Sequence, residues 1–165
     1  DRLARAGDWL PDQVQGMFMD IGDVLDWNPP NTYRYWNDRA VFHFLVDPSD
    51  QQKYVKKVRD ATSSGSHIVI ATFSPEGPES CSGLPVQRWS AEQLSSLFAE
   101  FCTVVSQTKY EHVTPWGSTQ SFIGSIYSTD SAFQSLVISA TRNWICFGAC
   151  SAQQNSPATV TQFAI

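Results

Sequence analysis

The sequence predicts an α/β fold whose sheet is at least partly parallel. Residues 67–73 (HIVIATF) form a continuous apolar run rich in β-branched residues, which is typical of a strand buried on both faces. An amphipathic segment and a glycine turn precede this run, and helix, turn and buried strand in that order make half of a β-α-β unit. The chain has 165 residues, of which 42% are hydrophobic and 16% charged, so it can bury a core.

The elements upstream of the amphipathic segment are short. Residues 14–20 (VQGMFMD) predict a strand that ends in an acid. Two prolines at 29 and 30 then predict an extended loop, because each proline fixes φ and disfavours helix before it. Residues 33–36 predict a second strand, and residues 40–46 predict one or two helical turns.

The amphipathic helix has clear signals at both ends. Pro48 suits the first helical position, and Asp47 suits the N-cap immediately before it. Tyr54 and Val58 share one side of the helix, while lysines and an arginine occupy the others. We expect the helix to end at the Ser-Ser-Gly-Ser turn, with Gly65 as a left-handed cap.

The second half of the chain predicts further elements of both kinds. Their boundaries follow from N-cap, turn and apolar-pattern signals. They are a loop at 74–85, a helix at about 91–100 capped by Ser90 with Leu94, Leu97 and Phe98 inward, and strands at 103–108 and 120–127 that flank a Thr-Pro-Trp-Gly turn.

The character of the sequence changes near residue 128. The segment 128–165 is rich in Ser, Thr, Gln and Ala, and its two charged residues are Asp130 and Arg142. We therefore expect one domain over residues 1–127 and a divergent, poorly ordered tail over 128–165. Because the chain begins at Asp1 instead of Met, we also expect it to be a fragment or a processed product.

Charge and composition argue against several kinds of partner. The formal net charge of −5 disfavours nucleic acid, which requires a strongly basic surface. No apolar run approaches the length of about 20 residues that a membrane span needs, so we expect no membrane partner and a cytoplasmic protein. Cys146 and Cys150 lack the spacing of a zinc knuckle and a second pair, so we expect no metal site.

Several motifs occur in one order and together resemble a known family. They are residues 36–45 (WNDRAVFHFL), 67–73, 77–86 (GPESCSGLPV) and 112–117 (HVTPWG), with Gln120 and Phe122 beyond. This pattern resembles the class I, Rossmann-like S-adenosylmethionine-dependent methyltransferases of bacteria over about residues 14–123. The resemblance implies a partial Rossmann-like sheet with helices on both faces. It also implies S-adenosyl-L-methionine as the cofactor, lying over the carboxyl ends of the strands.

The resemblance also implies cofactor contacts. Asp20 matches the acid that accepts a hydrogen bond from the adenine amine, and Ile21 matches the aliphatic residue against the adenine ring. Asn37 matches a position beside the methyl donor. The structural alternative for Asp20 is that it ends a strand and caps the following turn.

The same motifs supply candidate catalytic residues. By resemblance, Asp38 orients the methyl acceptor or acts as a base, and Arg39 pairs with Asp38 or holds an anionic substrate. His43 is a candidate general base because the pKa of an unperturbed histidine is near neutral. The alternatives are an Asp38–Arg39 pair that fixes the loop, and a His43 that is packed among its aromatic neighbours. His112 has the same two interpretations.

The sequence departs from the family in the segment that binds the cofactor. The first two strands and the glycine-rich loop have no counterpart, since Gly7, Gly16 and Gly22 are isolated. We therefore expect an S-adenosylmethionine-dependent methyltransferase, or a truncated fragment of one, with weak or no cofactor binding by this chain alone. Its acceptor is a small molecule or a protein side chain, not identified further.

Two other functions stay open at this point. One is a non-catalytic α/β interaction module derived from the same fold, which forms homo-oligomers through the edges of an incomplete sheet. The other is an unrelated α/β binding domain, for which the strand at 67–73 would have no parallel neighbour.

Overall fold

The structure is a computed structural model that describes residues 17–19, 21–130 and 162–164, with side chains over 23–130. The secondary structure alternates between helices and strands in the first half and is mainly strand in the second. The elements are β1 (Met17–Met19), α1 (Ile21–Asp26), β2 (Tyr33–Arg39), a 3-10 helix (Phe42–Phe44), α2 (Pro48–Asp60), β3 (Thr62–Phe73), β4 (Ser80–Cys81), β5 (Leu84–Pro85), α3 (Ala91–Phe98), β6 (Thr103–Val113), β7 (Thr119–Ser128) and β8 (Gln162–Ala164).

Six strands form one mixed sheet in the order β1-β8-β2-β3-β7-β6, and β4 and β5 form a separate hairpin. Strands β2 and β3 are parallel, with Trp36 opposite Ile68 and Asp38 opposite Ile70, and α2 connects them. The other neighbours in the sheet pair antiparallel. The predicted α/β fold is confirmed, and the parallel neighbour of β3 removes the ground for an unrelated binding domain.

Helix α2 begins as predicted and ends earlier. The Asp47 carboxylate accepts a hydrogen bond of 2.7 Å from the Ser49 N–H, and Pro48 opens the first turn. The predicted end at the Ser-Ser-Gly-Ser turn is wrong, because the helix stops at Asp60 and that segment belongs to β3. Pairing with β2 starts as soon as the helix ends, since the Tyr33 N–H donates to the carbonyl of Ala61. Gly65 is left-handed, with φ of 82°, but inside a strand.

Helix α3 carries the cap that its sequence predicts. The Ser90 hydroxyl accepts from the Gln93 N–H at 3.2 Å, and the Gln93 side chain accepts from the Ser90 N–H at 2.9 Å. These two bonds form a capping box, which satisfies N–H groups that the first helical turn leaves without partners. Leu94 and Phe98 are buried as predicted, and Leu97 is half-buried against the same core.

One face of the sheet, which we call the helix-covered face, holds the main core. Trp36 of β2, Ile68 and Ile70 of β3 and Tyr127 of β7 point to it. The apolar residues that the three helices bury belong to this one cluster: Val24 from α1, Tyr54, Val55 and Val58 from α2, and Leu94 and Phe98 from α3. The resemblance implies helices on both faces of the sheet. Over residues 23–130, the helices pack on one face.

The other face of the sheet, which we call the opposite face, carries the alternate residues of the same strands. They include Tyr35, Asn37 and Arg39 on β2 and His67, Val69 and Ala71 on β3. His67 and Val69 are half-buried, so full burial of β3 on both faces is limited to its carboxyl-terminal end.

The C-terminal segment contributes to the sheet. Strand β8 lies between β1 and β2 and pairs with both. The domain boundary at residue 127 stays a prediction, and residues 131–161 lie outside the described part of the chain. No helix among the described residues is long and apolar enough to cross a membrane.

Candidate functional site

Four strands bring their ends together at one edge of the sheet. The parallel strands β2 and β3 end there at Arg39 and Phe73. Strand β7 is antiparallel to both β3 and β6, so β6 ends and β7 begins at this same edge. In open α/β sheets, ligands bind outside the carboxyl ends of the parallel strands. We call this region the carboxyl edge.

Asp38 lies at the carboxyl edge but on the helix-covered face, fully buried. Its Oδ1 accepts hydrogen bonds from the backbone N–H groups of Val41 (3.0 Å) and Phe42 (3.2 Å). Its Oδ2 accepts from the Tyr54 hydroxyl at 2.5 Å, and that hydroxyl accepts from Trp36 Nε1 at 2.9 Å. This network ties the end of β2 to helix α2, and it involves Tyr54 and Trp36, whereas the expected pair was with Arg39. A catalytic role for Asp38 stays a prediction.

Asn37 and Arg39 point to the opposite face, because side chains alternate along β2. Asn37 pairs with Val69 and with Phe163 of β8, and Arg39 pairs with Ala71. Arg39 is close enough to Tyr110 for its charge to act on that phenol. Arg39 therefore places positive charge at the carboxyl edge, on the face away from Asp38.

His43 is completely buried in the 3-10 helix after β2. Its ring stacks on Phe73 with centroids 4.6 Å apart and meets Phe44 edge-on at 4.5 Å. Burial lowers the pKa of His43 to about 3, so the imidazole is neutral near pH 7. Neither ring nitrogen has a hydrogen-bond partner. His43 is thus packed among its aromatic neighbours, and the near-neutral pKa that made it a candidate general base is not retained; a role as a base stays a prediction.

A continuous row of rings runs along the opposite face at the carboxyl edge. Tyr110 stacks on Phe122 at 5.4 Å with nearly parallel planes, and Phe122 contacts Phe73 at 4.7 Å. Phe73 continues to His43 and Phe44. We call these five residues the aromatic cluster. Burial raises the pKa of Tyr110, and the charge of Arg39 opposes part of this rise.

The loop between β3 and α3 packs over the aromatic cluster. Cys81 and Val86 contact it, and Cys81 is buried. The loop is anchored at its start, where the Ser74 hydroxyl donates to the Ser121 hydroxyl at 2.8 Å. Gly77 is required there, because a Cβ at this position would lie 2.6 Å from the carbonyl oxygen of Ser121.

Unpartnered polar atoms concentrate at the same place. Among the described residues, seven buried side-chain nitrogen or oxygen atoms have no hydrogen-bond partner. Four of these seven belong to His43, His112 and Gln120. His112 lies directly opposite Gln120, one step beyond the Tyr110–Phe122 pair on the same face. The other three belong to Thr72, Trp89 and Tyr127, on the helix-covered side.

Sequence reasoning found only part of this group. It singled out His43 and His112 but gave Gln120 no role, although Gln120 belongs to one of the quoted motifs. The alternation of Tyr110 with His112 and of Gln120 with Phe122 would have placed all four on one face, once the hairpin register was known.

The cofactor residues implied by the resemblance are described only in part. Asp20 lies outside the described residues. Ile21 is the first residue of α1, and its side chain lies outside the described part of the chain. The described residues do not form a glycine cradle for S-adenosylmethionine. Ala40, with φ of 60°, follows β2, and Gly77 after β3 is used for packing against β7. The described part of the chain therefore does not form a complete cofactor site.

Comparison with known proteins supports the fold. No protein-family model and no curated protein matches the chain. An S-adenosylmethionine-dependent methyltransferase from Methanosarcina mazei is similar with a TM-score of 0.51 and 10% identity, over 61% of this chain and 62% of that one. The Burkholderia thailandensis 1,6-didemethyltoxoflavin-N1-methyltransferase, solved with its substrate and S-adenosylhomocysteine, gives a TM-score of 0.50 and 16% identity, over 65% and 48%.

A third solved structure comes from work on the conversion of a disulfide bond into a thioacetal group during echinomycin biosynthesis. It gives a TM-score of 0.51 and 17% identity, over 71% of this chain and 56% of that one. The chain has the fold of a class I methyltransferase. It spans between 48% and 62% of the length of these three structures. The resemblance that the sequence predicts is thus confirmed at the level of the fold.

Proposed function

We propose that this chain carries the acceptor side of an S-adenosylmethionine-dependent methyltransferase that acts on a small molecule. The observation that supports this proposal is the carboxyl edge, where a methyltransferase fold brings an aromatic cluster and unpartnered polar atoms together. Two of the solved structures with this fold are named as methyltransferases, and one of them holds S-adenosylhomocysteine. The alternative of a non-catalytic interaction module is not favoured by these comparisons.

The chain's own residues would position and shield the acceptor. Asp38 holds the turn after β2 through two backbone N–H groups, and it thereby fixes His43 against Phe73. Arg39 supplies positive charge beside the cluster. In this proposal Asp38 is a positioning residue, while Arg39 and His43 face the acceptor. Fixing an acceptor in a near-attack geometry is the main contribution that a protein makes to a direct displacement.

S-adenosylmethionine would supply an electrophilic methyl group when bound. On the resemblance, Asp20 and Ile21 would contact its adenine and Asn37 would lie near its sulfonium. Because the described residues lack a glycine cradle, we expect the 165-residue chain to bind the product S-adenosylhomocysteine only weakly.

Saturation-transfer NMR of the full chain with S-adenosylhomocysteine tests this function. We expect saturation of its adenine protons at millimolar ligand, and no comparable saturation of ATP, which shares the adenosine but not the amino-acid part. The Asn37→Leu variant should reduce the signal, and Asn31→Leu, which changes an exposed loop residue in the same way, should not. Equal saturation of ATP, or none of S-adenosylhomocysteine, would contradict the proposal.

A further inference from the structure

The four unpartnered atoms at the carboxyl edge have the properties of a ligand site. A buried polar atom without a partner loses its hydration without compensation, so proteins rarely retain one without a reason. Here His43 lies inside the aromatic cluster, and His112 and Gln120 lie one step beyond its Tyr110–Phe122 pair on the same face of the sheet. These residues come from three separate elements, so their placement along one face is a property of the folded sheet and not of one local turn.

The rings indicate the shape of the ligand. Tyr110 and Phe122 lie nearly parallel, with 8° between their planes, and Tyr110 and Phe44 at the two ends of the row are only half-buried. Flat rings gain dispersion and quadrupole interactions from offset or edge contact with other rings. A planar aromatic ligand can therefore extend the row at either half-buried end, whereas a saturated ring of similar size would lose most of this contact.

The polar atoms indicate the functional group. Gln120 presents a carbonyl oxygen, which accepts a hydrogen bond, and His112 presents the ring nitrogen Nε2. A hydroxyl group on the ligand both donates and accepts, so it can satisfy both kinds of partner. His112 and Gln120 lie about 7 Å along their strands from Tyr110 and Phe122, since two residues of a strand cover that distance.

The charges at the carboxyl edge favour a neutral or anionic ligand over a cationic one. Aromatic clusters also bind ammonium groups, but such sites work best where no positive charge competes. Arg39 is the charge that acts on Tyr110. The carboxylates of Asp38, Glu76 and Glu79 are engaged with Tyr54, Lys109 and Arg88. The edge is therefore suited to a neutral or anionic ligand.

We propose that the aromatic cluster, together with His112 and Gln120, binds a planar aromatic compound that bears a hydroxyl group. Its role as the methyl acceptor rests on the proposed function, while its chemical class rests on the geometry of the carboxyl edge alone.

Fluorescence anisotropy of umbelliferone, a planar hydroxylated aromatic, tests the proposal with the full chain. We expect saturable binding, at least about fivefold weaker binding of its methyl ether, which has lost the hydrogen-bond donor, and no displacement by the non-planar alcohol decalinol. Trimethylphenylammonium should not displace umbelliferone either. Equal binding of the ether, or displacement by decalinol or by the ammonium compound, would overturn the proposal.

One substitution locates the site. Gln120→Leu should weaken umbelliferone binding at least about fivefold, because it removes one acceptor and keeps a side chain of similar size. Gln52→Leu makes the same change at an exposed position of α2 and should leave binding unchanged. Equal affinity of the Gln120→Leu variant and the unmodified chain would show that umbelliferone binds elsewhere.

The two proposals fail separately. If umbelliferone binds and S-adenosylhomocysteine gives no signal, the proposed ligand class is supported. The proposal that this ligand is a methyl acceptor is then contradicted. An S-adenosylhomocysteine signal without umbelliferone binding leaves the proposed function intact and shows that the ligand class is wrong.

Discussion

The two faces of the sheet treat buried polar groups differently at the carboxyl edge. On the helix-covered face, the buried Asp38 carboxylate accepts three hydrogen bonds and holds β2 against α2. On the opposite face, His43 is equally buried and neither of its nitrogens is paired. A satisfied buried group rigidifies a fold, whereas an unsatisfied one lowers stability and gives no structural gain in return. Asp38 and His43, close together in the chain, thus differ in whether their buried polar atoms are satisfied.

The largest expected effect is a loss of stability in acid, which comes from the buried His43. Burial places the pKa of His43 at about 3 in the folded chain, against 6.5 without burial. Between those two pH values the unfolded chain binds a proton that the folded chain does not, so the free energy of unfolding falls as pH falls. The loss is fully absent above pH 6.5 and reaches on the order of 5 kcal/mol near pH 3.

Denaturant unfolding of the unmodified chain and of His43→Leu, followed between pH 7 and pH 3, measures this effect. The difference between the two chains should grow in favour of the variant as pH falls. His67→Leu keeps His43 and serves as the matched control for replacing an imidazole by an apolar side chain. A constant difference between His43→Leu and the unmodified chain would show that His43 does not stay neutral in the fold.

Removing the carboxylate on the helix-covered face should have the next largest effect. Asp38→Ala leaves the N–H groups of Val41 and Phe42 and the Tyr54 hydroxyl without their acceptor, and we expect a loss of about 3 kcal/mol in the free energy of unfolding. Tyr54→Phe removes one of these bonds together with the bond from Trp36 Nε1, and it should cost about half as much. Denaturant titration at neutral pH provides both values.

A control variant distinguishes the loss of a single carboxylate acceptor from the loss of the buried hydrogen-bond network around Asp38. Asp47→Ala removes a carboxylate that caps α2 at an exposed position, and we expect a cost of about 1 kcal/mol. If Asp38→Ala costs no more than Asp47→Ala, the buried network does not hold the end of β2. In that case a catalytic role would become the better account of Asp38.

Local signals predicted the helix-covered face well. Asp47 and Ser90 mark helix starts through hydrogen bonds to residues two or three positions away, and Pro48 does so through its fixed φ, so each signal is contained in the local sequence. The end of α2 was missed because it depends on β2. Pairing of Thr62 with Tyr33 begins the strand before Gly65 is reached, and this contact spans 29 residues, from 33 to 62.

The candidate site was harder to predict for the same reason. Asp38, Arg39 and His43 lie in one motif, yet strand alternation sends Asp38 and Arg39 to different faces, and His43 joins Arg39 by stacking on Phe73. Gln120 enters the site only through its register with His112 across the β6–β7 hairpin. A one-residue change of that register would move Gln120 to the helix-covered face, so no local pattern could identify it.

The smallest of the expected effects is the most direct comparison of the two faces, because the same substitution should change sign between them. Gln107 and Gln120 lie on the neighbouring strands β6 and β7. The Gln107 amide donates to the carbonyl of Ala91 at 2.9 Å and to the hydroxyls of Ser95 and Ser125 on the helix-covered face. Gln120 has a buried Oε1 without a partner on the opposite face.

Gln107→Leu should therefore lower the free energy of unfolding by about 1 to 2 kcal/mol, since it removes the donor of these buried hydrogen bonds. Gln120→Leu should raise it by up to about 1 kcal/mol, because an unsatisfied polar atom is replaced by apolar surface. Thermal and denaturant unfolding of the two variants at pH 7 measure both signs. A loss of stability in Gln120→Leu would mean that Gln120 has a structural partner, and its burial would then need no ligand. A gain of stability together with weaker umbelliferone binding is the trade-off expected of a residue kept for binding.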